Sequence, residues 1–288
     1  MNIKIQSITP DSRDYPVLLK KIYDPPKTLF YKGTLPKEDR VYLAVIGSRK
    51  MTPYGKSALE KILPPIVRAG VGIVSGLAYG IDAEALKITL ANNGFACGVI
   101  GSGLDDASFY PKVNIPLANE MVEKGGLLLS EYTERSTVLP RNFAIRNRII
   151  AGMCHGVLIV EAAAKSGSLI TAEVAMNENR EVFAIPNTIF HRGSDGTNNL
   201  LKTGAHMVTE AQDILSVFGI SDNFINPKDM DSYEGKLLTL LSSEPLHIDE
   251  LSKTLHLTPS ETSARLSQLE IIGAVKNIGG MNYVRSYE

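Results

Sequence analysis

The chain has 288 residues, of which 44% are hydrophobic and 21% are charged, and its formal net charge at pH 7 is −1. This length accommodates one large domain and a small one, and the near-zero net charge excludes nucleic-acid binding through bulk positive charge, so that such binding requires a local basic patch. No apolar run approaches the roughly 18–20 residues of a membrane span, and the N-terminus lacks the apolar segment of a signal peptide; a soluble, cytoplasmic protein is expected.

Residues 1–40 are rich in proline and tyrosine and are predicted to form an N-terminal arm that packs on the main domain. Pro25 and Pro26 exclude regular helix or a central strand at that point, whereas residues 17–22 favour a short helix.

From residue 41 the pattern changes to short apolar strands that alternate with helices. The six predicted strands are residues 41–47, 71–76, 95–101, 125–131, 156–161 and 181–185. Such a pattern predicts an α/β fold, an extended Rossmann-like domain over residues 41–218 with a doubly wound, mostly parallel sheet. Ligands of these sheets bind beyond the carboxyl ends of the strands, which is where the Gly- and Ser-rich turns of this chain are expected.

Residues 219–232 lack apolar periodicity and are predicted to be a linker, which leaves residues 233–288 as a small second domain. Three predicted helices and a hairpin follow one another there, the order of elements in a winged helix. This domain carries five basic and seven acidic residues, a net charge of −2. Modules that neutralise phosphates normally have an excess of Lys and Arg, so a protein-contact or regulatory role is favoured over DNA reading.

Two turns of the main domain are candidate phosphate sites. Gly47-Ser48-Arg49 follows the first strand, and arginine binds phosphate with two parallel hydrogen bonds; the simpler interpretation is a tight turn with a solvated arginine. The junction after the second strand contains Gly76 and Gly80, which either let a ligand approach the backbone or only permit a sharp turn. Asp82, early in the next helix, is a candidate helix cap.

The stretch of residues 141–176 is the most informative part of the sequence. Arg146 and Arg148 have helical spacing, within a run from residue 135 to residue 160 that contains four arginines and no acidic residue. Residues two apart cannot share one helix face. One of the two is therefore expected to contact a phosphate while the other stabilises the fold.

The turn Lys165-Ser166-Gly167-Ser168 joins an apolar strand to a helix in the same stretch. Free backbone N–H groups and the positive end of the helix dipole make such a junction an anion site, and Lys165 adds a charge at its mouth. The alternative is a capping turn with Ser168 as N-cap. The sequence has no Walker A motif, and the glycine spacing of residues 98–103 is the reverse of a dinucleotide fingerprint, so neither ATP hydrolysis nor NAD binding is expected.

Catalytic and metal-binding patterns are weak. Glu161 and Glu173 flank the turn and could serve in hydrolysis, but a carboxylate at a sheet edge more often holds a neighbouring arginine. The histidines show no metal-ligand spacing, and Cys97 and Cys154 lie in apolar surroundings. We therefore expect no catalytic residue, no metal and no cofactor, and buried, reduced thiols.

Taken together, these motifs resemble the DNA processing protein A family, also called DprA or Smf, over nearly all of residues 10–210. The segments that carry the resemblance are Tyr15-Pro16, Pro25-Pro26, Leu29-Phe30-Tyr31-Lys32-Gly33, Val45-Ile46-Gly47-Ser48-Arg49, Ser75-Gly76-Leu77-Ala78-Tyr79-Gly80-Ile81-Asp82, Gly101-Ser102-Gly103-Leu104, Tyr110-Pro111, Leu129-Ser130-Glu131, Arg146-Asn147-Arg148-Ile149-Ile150-Ala151-Gly152, Val160-Glu161-Ala162 and Ser166-Gly167-Ser168-Leu169-Ile170-Thr171-Ala172.

The resemblance implies a non-catalytic, homodimeric protein that binds single-stranded DNA. It implies a recombination mediator that protects incoming single strands and helps to load a RecA-type recombinase in natural transformation. Arg49 and Lys165 would be the main phosphate contacts, with Arg146, Arg148 and the turn of residues 166–168 lining the same pocket. The full candidate DNA- and phosphate-binding set is Gly47, Ser48, Arg49, Gly76, Arg146, Arg148, Lys165, Ser166, Gly167 and Ser168.

Three positions depart from the family pattern. Leu86 stands where the family usually has histidine, Ala144 where it often has proline, and Asn187 where it has glycine. These differences concern details of the pocket and leave the fold prediction intact.

A second class of function is a nucleotide-processing enzyme on a similar Rossmann-like fold, such as a nucleoside-monophosphate phosphoribohydrolase. Glu161 or Glu173 would then be the catalytic carboxylate. That group carries a Pro-Gly-Gly-x-Gly-Thr motif, whereas residues 165–171 of this chain lack the double glycine, which counts against the enzyme.

Overall fold

The computed structural model of the chain describes residues 4–220, 233–241, 245–271 and 274–285. They belong to two compact units, one that reaches residue 220 and one that starts at residue 233. The strands of the first unit are β1 (Gln6–Ile8), β2 (Leu29–Gly33), β3 (Tyr42–Ile46), β4 (Gly72–Ser75), β5 (Ala96–Ile100), β6 (Leu127–Ser130), β7 (Gly156–Ile159), β8 (Glu181–Ala184) and β9 (His206–Met207). Its helices are α1 (Val17–Lys20), α2 (Pro53–Arg68), α3 (Ile81–Ala91), α4 (Ile115–Glu123), α5 (Pro140–Met153), α6 (Gly167–Asn177), α7 (Asp195–Lys202) and α8 (Gln212–Val217).

The nine strands form one sheet in the order β1-β2-β6-β5-β4-β3-β7-β8-β9. All strands from β3 onward pair in parallel, whereas β1 and β2 run antiparallel and extend the sheet beyond β6. The chain adds β4, β5 and β6 on one side of β3 and then crosses to the other side for β7, β8 and β9. The strand order therefore reverses between β3 and β7, the place where open α/β sheets form a ligand-binding crevice. The predicted doubly wound, mostly parallel sheet is confirmed.

Helices cover both faces of this sheet, which explains why its strands are continuous apolar runs. Every residue of β3 and β4 is buried. On one face, Ile149 and Ile150 of α5 and Ala172 of α6 pack against the strands. On the other face, Leu86 of α3 and Met121 of α4 do so. Within the described residues both faces of the sheet are therefore covered, whereas the carboxyl ends of its strands are a place where a ligand can bind.

The two cysteines, Cys97 and Cys154, are buried in the core on the α5 face and are not joined to each other. Burial raises the pKa of both thiols, so they stay protonated at neutral pH.

Two parts of the sheet were not predicted. The N-terminal arm contributes β1 and β2, of which β2 pairs antiparallel with β6 from Phe30↔Ser130 to Gly33↔Leu127. The predicted short helix of the arm is present as α1. The edge strand β9 has only two residues, too few for any periodicity to show.

The second unit contains the helices α9 (Tyr233–Leu240), α10 (Ile248–Leu255) and α11 (Pro259–Ile271), and the strands β10 (Leu246–His247), β11 (Val275–Gly279) and β12 (Asn282–Arg285). The strands pair antiparallel in the order β10-β12-β11. Leu237, Leu251, Leu266 and Tyr283 belong to a core of its own. Three helices and a hairpin confirm the predicted winged-helix plan. The predicted linker from residue 221 onward and Gly273 of the hairpin lie outside the described residues.

Among the described residues, no helix has the length and apolar character that crossing a membrane requires.

Candidate nucleic-acid interface

A cavity of about 310 Å³ opens beyond the carboxyl ends of β3 and β7, where the strand order reverses. Its walls come from the turn after β3, the start of α3, the first half of α5 and the start of α6. The lining residues are Ile46, Gly47, Arg49, Ala78, Asp82, Pro140, Phe143, Ala144, Arg146, Asn147, Ile150, Ser166, Gly167, Ser168, Ile170 and Thr171. The structure thus brings together the two turns that the sequence singled out, although more than a hundred residues separate them.

The turn after β3 presents Arg49 to solvent at the rim of the cavity. A Cβ on Gly47 would lie 2.9 Å from Ile81 and 3.1 Å from the carbonyl oxygen of Glu161, so the close packing of this turn requires glycine. The Ser48 hydroxyl accepts a hydrogen bond from the Lys50 amide at 3.1 Å and donates one to the Lys50 carbonyl at 3.0 Å. Ser48 therefore shapes the turn with its side chain, while Arg49 is exposed.

The opposite wall is the first turn of α6. Ser166 is the N-cap, and its hydroxyl accepts a hydrogen bond from the Ser168 amide at 3.3 Å; the cap is thus Ser166 and not Ser168. A Cβ on Gly167 would meet no atom within 4 Å, so the backbone here is open to a ligand. Lys165 is exposed immediately before this turn and forms no ion pair with a described residue. An eleven-residue helix that starts at a cavity offers its free N–H groups and its positive dipole end to an anion.

Two buried groups of opposite charge, Asp82 and Arg146, lie at the floor of the cavity and are only 5% exposed each. The Asp82 carboxylate accepts a hydrogen bond from the Gly76 amide at 3.1 Å, and the amides of Gly47 and Ala78 also donate to it. The Arg146 guanidinium donates to the carbonyl of Gly76 at 2.8 Å and to that of Val99. The pair therefore fastens the turns after β3 and β4 to each other and to α5.

Burial opposes charge on both members of this pair. Burial raises the pKa of Asp82, with the Arg146 guanidinium acting in the opposite direction. Burial likewise lowers the pKa of Arg146 to about 10, with Asp82 opposing the change. Each group favours the charged form of the other, so removal of either one would leave the remaining group buried without a neighbouring opposite charge. A Cβ on Gly76 would lie 2.6 Å from the Asp82 carboxylate and 2.7 Å from the guanidinium, which explains the glycine at that position.

The expectation that Arg148 lines the same pocket is wrong. Its guanidinium lies outside the cavity, where Nη2 donates to Glu131 at 2.7 Å and Nε donates to Asp24 at 2.9 Å. The physical reason is the helical spacing of α5, which turns residues 146 and 148 to different sides. Arg148 joins the N-terminal arm to the end of β6.

The two glutamates near the turn after β7 have different environments. Glu161 is buried, and its carboxylate accepts hydrogen bonds from the amide of Thr52, at 3.0 Å, and from the Thr52 hydroxyl. It therefore holds the N-terminus of α2, not a neighbouring arginine as the sequence suggested. Glu173 is exposed on α6. No group of three or more candidate metal ligands occurs in the described part of the chain.

Sequence reasoning did not single out several residues that line the cavity, among them Phe143, Asn147 and Thr171. It also assigned Asp82 only a capping role, although the buried carboxylate accepts a hydrogen bond from the Gly76 amide and interacts electrostatically with Arg146. One feature of the sequence could have pointed to this role of Asp82. It is the only acidic residue in residues 76–82, which connect β4 to the start of α3.

The comparisons with known proteins cover both units. A family model described as DNA recombination-mediator protein A matches residues 6–219, and a model described as DprA winged helix domain matches residues 226–281. The chain is 47% identical over 204 residues to DNA processing protein DprA of Streptococcus pneumoniae, which covers 71% of each chain. It is 37% identical over 289 residues to protein Smf of Escherichia coli, covering 96% of this chain and 76% of that protein.

Comparison with solved structures also finds proteins called DNA processing protein A. The crystal structure of DNA processing protein A from Streptococcus pneumoniae matches with a TM-score of 0.70 at 44% identity and covers 74% of each chain. A structure that describes the single-stranded DNA binding mode of DNA processing protein A from Helicobacter pylori matches with a TM-score of 0.65 at 28% identity. It covers 75% of this chain and 96% of the other.

Proposed function

This chain belongs to the DNA recombination-mediator protein A family, and on that premise we propose that it binds single-stranded DNA and acts as a recombination mediator in the cytoplasm. In this proposal it works without catalysis as a homodimer, protects incoming single strands and helps to load a RecA-type recombinase in natural transformation. Residues 41–218 form the DNA-binding domain, residues 219–232 a linker and residues 233–288 the winged-helix domain.

The cavity at the strand-order reversal carries this proposal. It combines the exposed guanidinium of Arg49 with the N-terminus of α6 and the adjacent Lys165. Asp82 is the one acidic side chain among its lining residues, and Arg146 compensates its charge. Cations and free amides without a competing carboxylate attract phosphate irrespective of base sequence.

The size of the cavity favours a flexible strand. About 310 Å³ holds a phosphate and part of its sugar, and a single strand can bend so that one phosphate enters while the next stays at the rim. Arg49 and Lys165 would be the main phosphate contacts, with Gly47 and the turn of residues 166–168 contributing backbone amides. Arg146 would act by positioning these groups.

The proposal is tested by comparing single- and double-stranded oligonucleotides of one length in gel-shift titrations at fixed salt. We expect tighter binding of the single strand, and equal binding of the two forms would contradict the proposal.

Analytical ultracentrifugation measures the molecular mass in solution and so tests for the homodimer. The rate of recombinase filament assembly on single strands, with and without the protein, tests for recombinase loading. Incubation with nucleoside monophosphates tests the enzyme alternative, for which release of free base would be the positive result.

Deletion of the winged-helix domain, residues 233–288, is expected to change single-strand affinity by less than about tenfold, or ~1.4 kcal/mol. The domain has its own core, and Arg265 of α11 is paired with Glu234 of α9. Glu261 and Glu270 are exposed on α11, the helix that enters the DNA groove in winged-helix DNA readers. Anisotropy titrations of the full chain and the truncated chain measure the effect, and a larger loss would show that the winged helix grips DNA.

A further inference from the structure

A second cavity lies at the opposite edge of the sheet, where β3 and β7 begin. It has a volume of about 690 Å³, compared with about 310 Å³ for the cavity at the strand-order reversal. Its walls come from residues 13–18 and the segment around Lys37 in the N-terminal arm, from the first residue of β3, from the end of α5 and from His155. We call this space the amino-end cavity. Its volume lies within the range of sites that bind small organic molecules.

Apolar side chains of the arm and of the core meet in the amino-end cavity. They include Pro16, Leu18, Leu35, Tyr42 and Met153. Tyr42 and Met153 are buried, and the Tyr42 hydroxyl donates a hydrogen bond to the Lys37 carbonyl at 3.1 Å. The polar end of this tyrosine is therefore engaged with the arm. An apolar surface of this kind gains free energy when it covers the apolar body of a ligand.

Cationic side chains line the amino-end cavity together with this apolar surface, namely Arg13, Lys37 and Arg40. None of the three forms an ion pair with a described residue. The guanidinium carbon of Arg40 lies 5.1 Å from the Phe95 ring centroid, a contact that positions the side chain without neutralising its charge. Asp14 and Glu38 also line the cavity, so the cations exceed the carboxylates by one. This balance attracts a single anionic group, whereas further charges of a polyanion would meet the carboxylates.

His155 adds a neutral donor to the amino-end cavity. Its Nδ1 accepts a hydrogen bond from the Tyr42 amide at 3.1 Å, which places the proton of a neutral ring on Nε2. Burial lowers the pKa of His155, and the Arg180 guanidinium acts in the same direction, so the ring is neutral at pH 7. Nε2 has no hydrogen-bond partner in the described part of the chain, and its N–H is thus available to an oxygen atom of a ligand.

We propose that the amino-end cavity is a second ligand site, which takes a small organic molecule with an apolar body and one anionic group. The body packs against Leu35 and Met153, and the anionic group is held by Lys37 and Arg40. The five residues of β3 separate this site from the cavity at the strand-order reversal, a distance of about 16 Å. Its occupation therefore does not depend on the proposed binding of DNA.

The first test compares two fluorescent probes of nearly the same shape. Anilinonaphthalene sulfonate carries one anionic group, and phenylnaphthylamine lacks it. In titrations of the full chain we expect the sulfonate to bind about tenfold more tightly, a difference of ~1.4 kcal/mol. The double variant Lys37→Ala/Arg40→Ala should lose this preference and bind the neutral probe as the unmodified chain does. Equal affinity of the unmodified chain for the two probes would refute the proposed site.

The matched control for this variant is Lys87→Ala/Lys124→Ala. Both lysines are exposed on helices of the other face, Lys87 on α3 and Lys124 at the end of α4. Their removal takes away the same number of positive charges, and the preference for the sulfonate should stay. If the control loses the preference as well, the sulfonate responds to overall charge and not to this site.

The second test locates the probe by NMR of methyl-labelled methionine. Met153 lines the amino-end cavity, whereas Met51 lies two residues after Arg49, at the opposite edge of the sheet. Met153→Leu and Met51→Leu, which nearly conserve side-chain volume, assign the two signals. The sulfonate probe should shift the Met153 signal with the same midpoint as the fluorescence titration. A Met153 signal that does not move when the probe is saturating would overturn the assignment of the site.

Discussion

Replacement of Arg146 by methionine is expected to lower the free energy of unfolding of the first unit by about 3–5 kcal/mol. Methionine fills part of the space but carries no charge. The Asp82 side chain would therefore remain buried without the neighbouring positive charge, and the carbonyls of Gly76 and Val99 would each lose a donor. Urea denaturation followed by circular dichroism measures the loss.

Two further variants separate the electrostatic interaction between Asp82 and Arg146 from general damage to α5. Arg141→Met changes an exposed arginine on the same helix and should alter stability by less than about 0.5 kcal/mol. The double variant Asp82→Asn/Arg146→Met removes both charges, so its loss should be smaller than the sum of the single losses. A loss below about 1 kcal/mol for Arg146→Met would contradict the role given to the pair.

Replacement of Arg49 by alanine is expected to weaken single-strand binding by about tenfold, because a hydrogen bond to a charged group contributes about 1.5–3 kcal/mol. The slope of log K against log salt should also fall by about 0.7, the contribution of one phosphate contact on a single strand. Lys165→Ala should act in the same direction, since Lys165 is exposed and directly precedes Ser166, the N-cap of α6. Filter binding over a series of salt concentrations measures both quantities.

The control for these two variants is Arg68→Ala. Arg68 is exposed at the C-terminal end of α2, next to the turn that leads into β4, and so lies at the amino edge of the sheet, away from the cavity. Removal of the Arg68 side chain should leave the affinity for single strands and the slope of log K against log salt nearly unchanged. If the slopes for Arg49→Ala and Lys165→Ala match that of the unmodified chain, neither residue contacts a phosphate.

The central sheet was predictable because each parallel strand is a short apolar run between helical segments. All six predicted strands appear within two residues of their predicted ends. The switch of strand order between β3 and β7 then follows from the rules of doubly wound sheets. β2 escaped prediction because its register depends on pairing with β6, about a hundred residues away, and the proline-rich sequence before it gives no local sign of a strand.

The site was predictable at the level of turns and less so at the level of side chains. The spacing of Arg146 and Arg148 showed that the two point apart, but it could not show which one meets the cavity. That choice depends on partners distant in sequence, Asp82 for the first and Glu131 for the second. The same holds for Glu161, whose partner Thr52 is 109 residues away.

The carboxylate of Asp82 has a consequence for the speed and strength of capture. Because the amides of Gly47 and Gly76 both donate to it, the loops that would meet a single strand in the proposed function are already ordered without it. Fixing the backbone of one residue costs about 1–2 kcal/mol at 25 °C, and this protein meets that cost when it folds. Binding energy is thus not spent on arranging the receptor, and encounter should be governed by diffusion and electrostatic attraction, without a slow rearrangement of the loops.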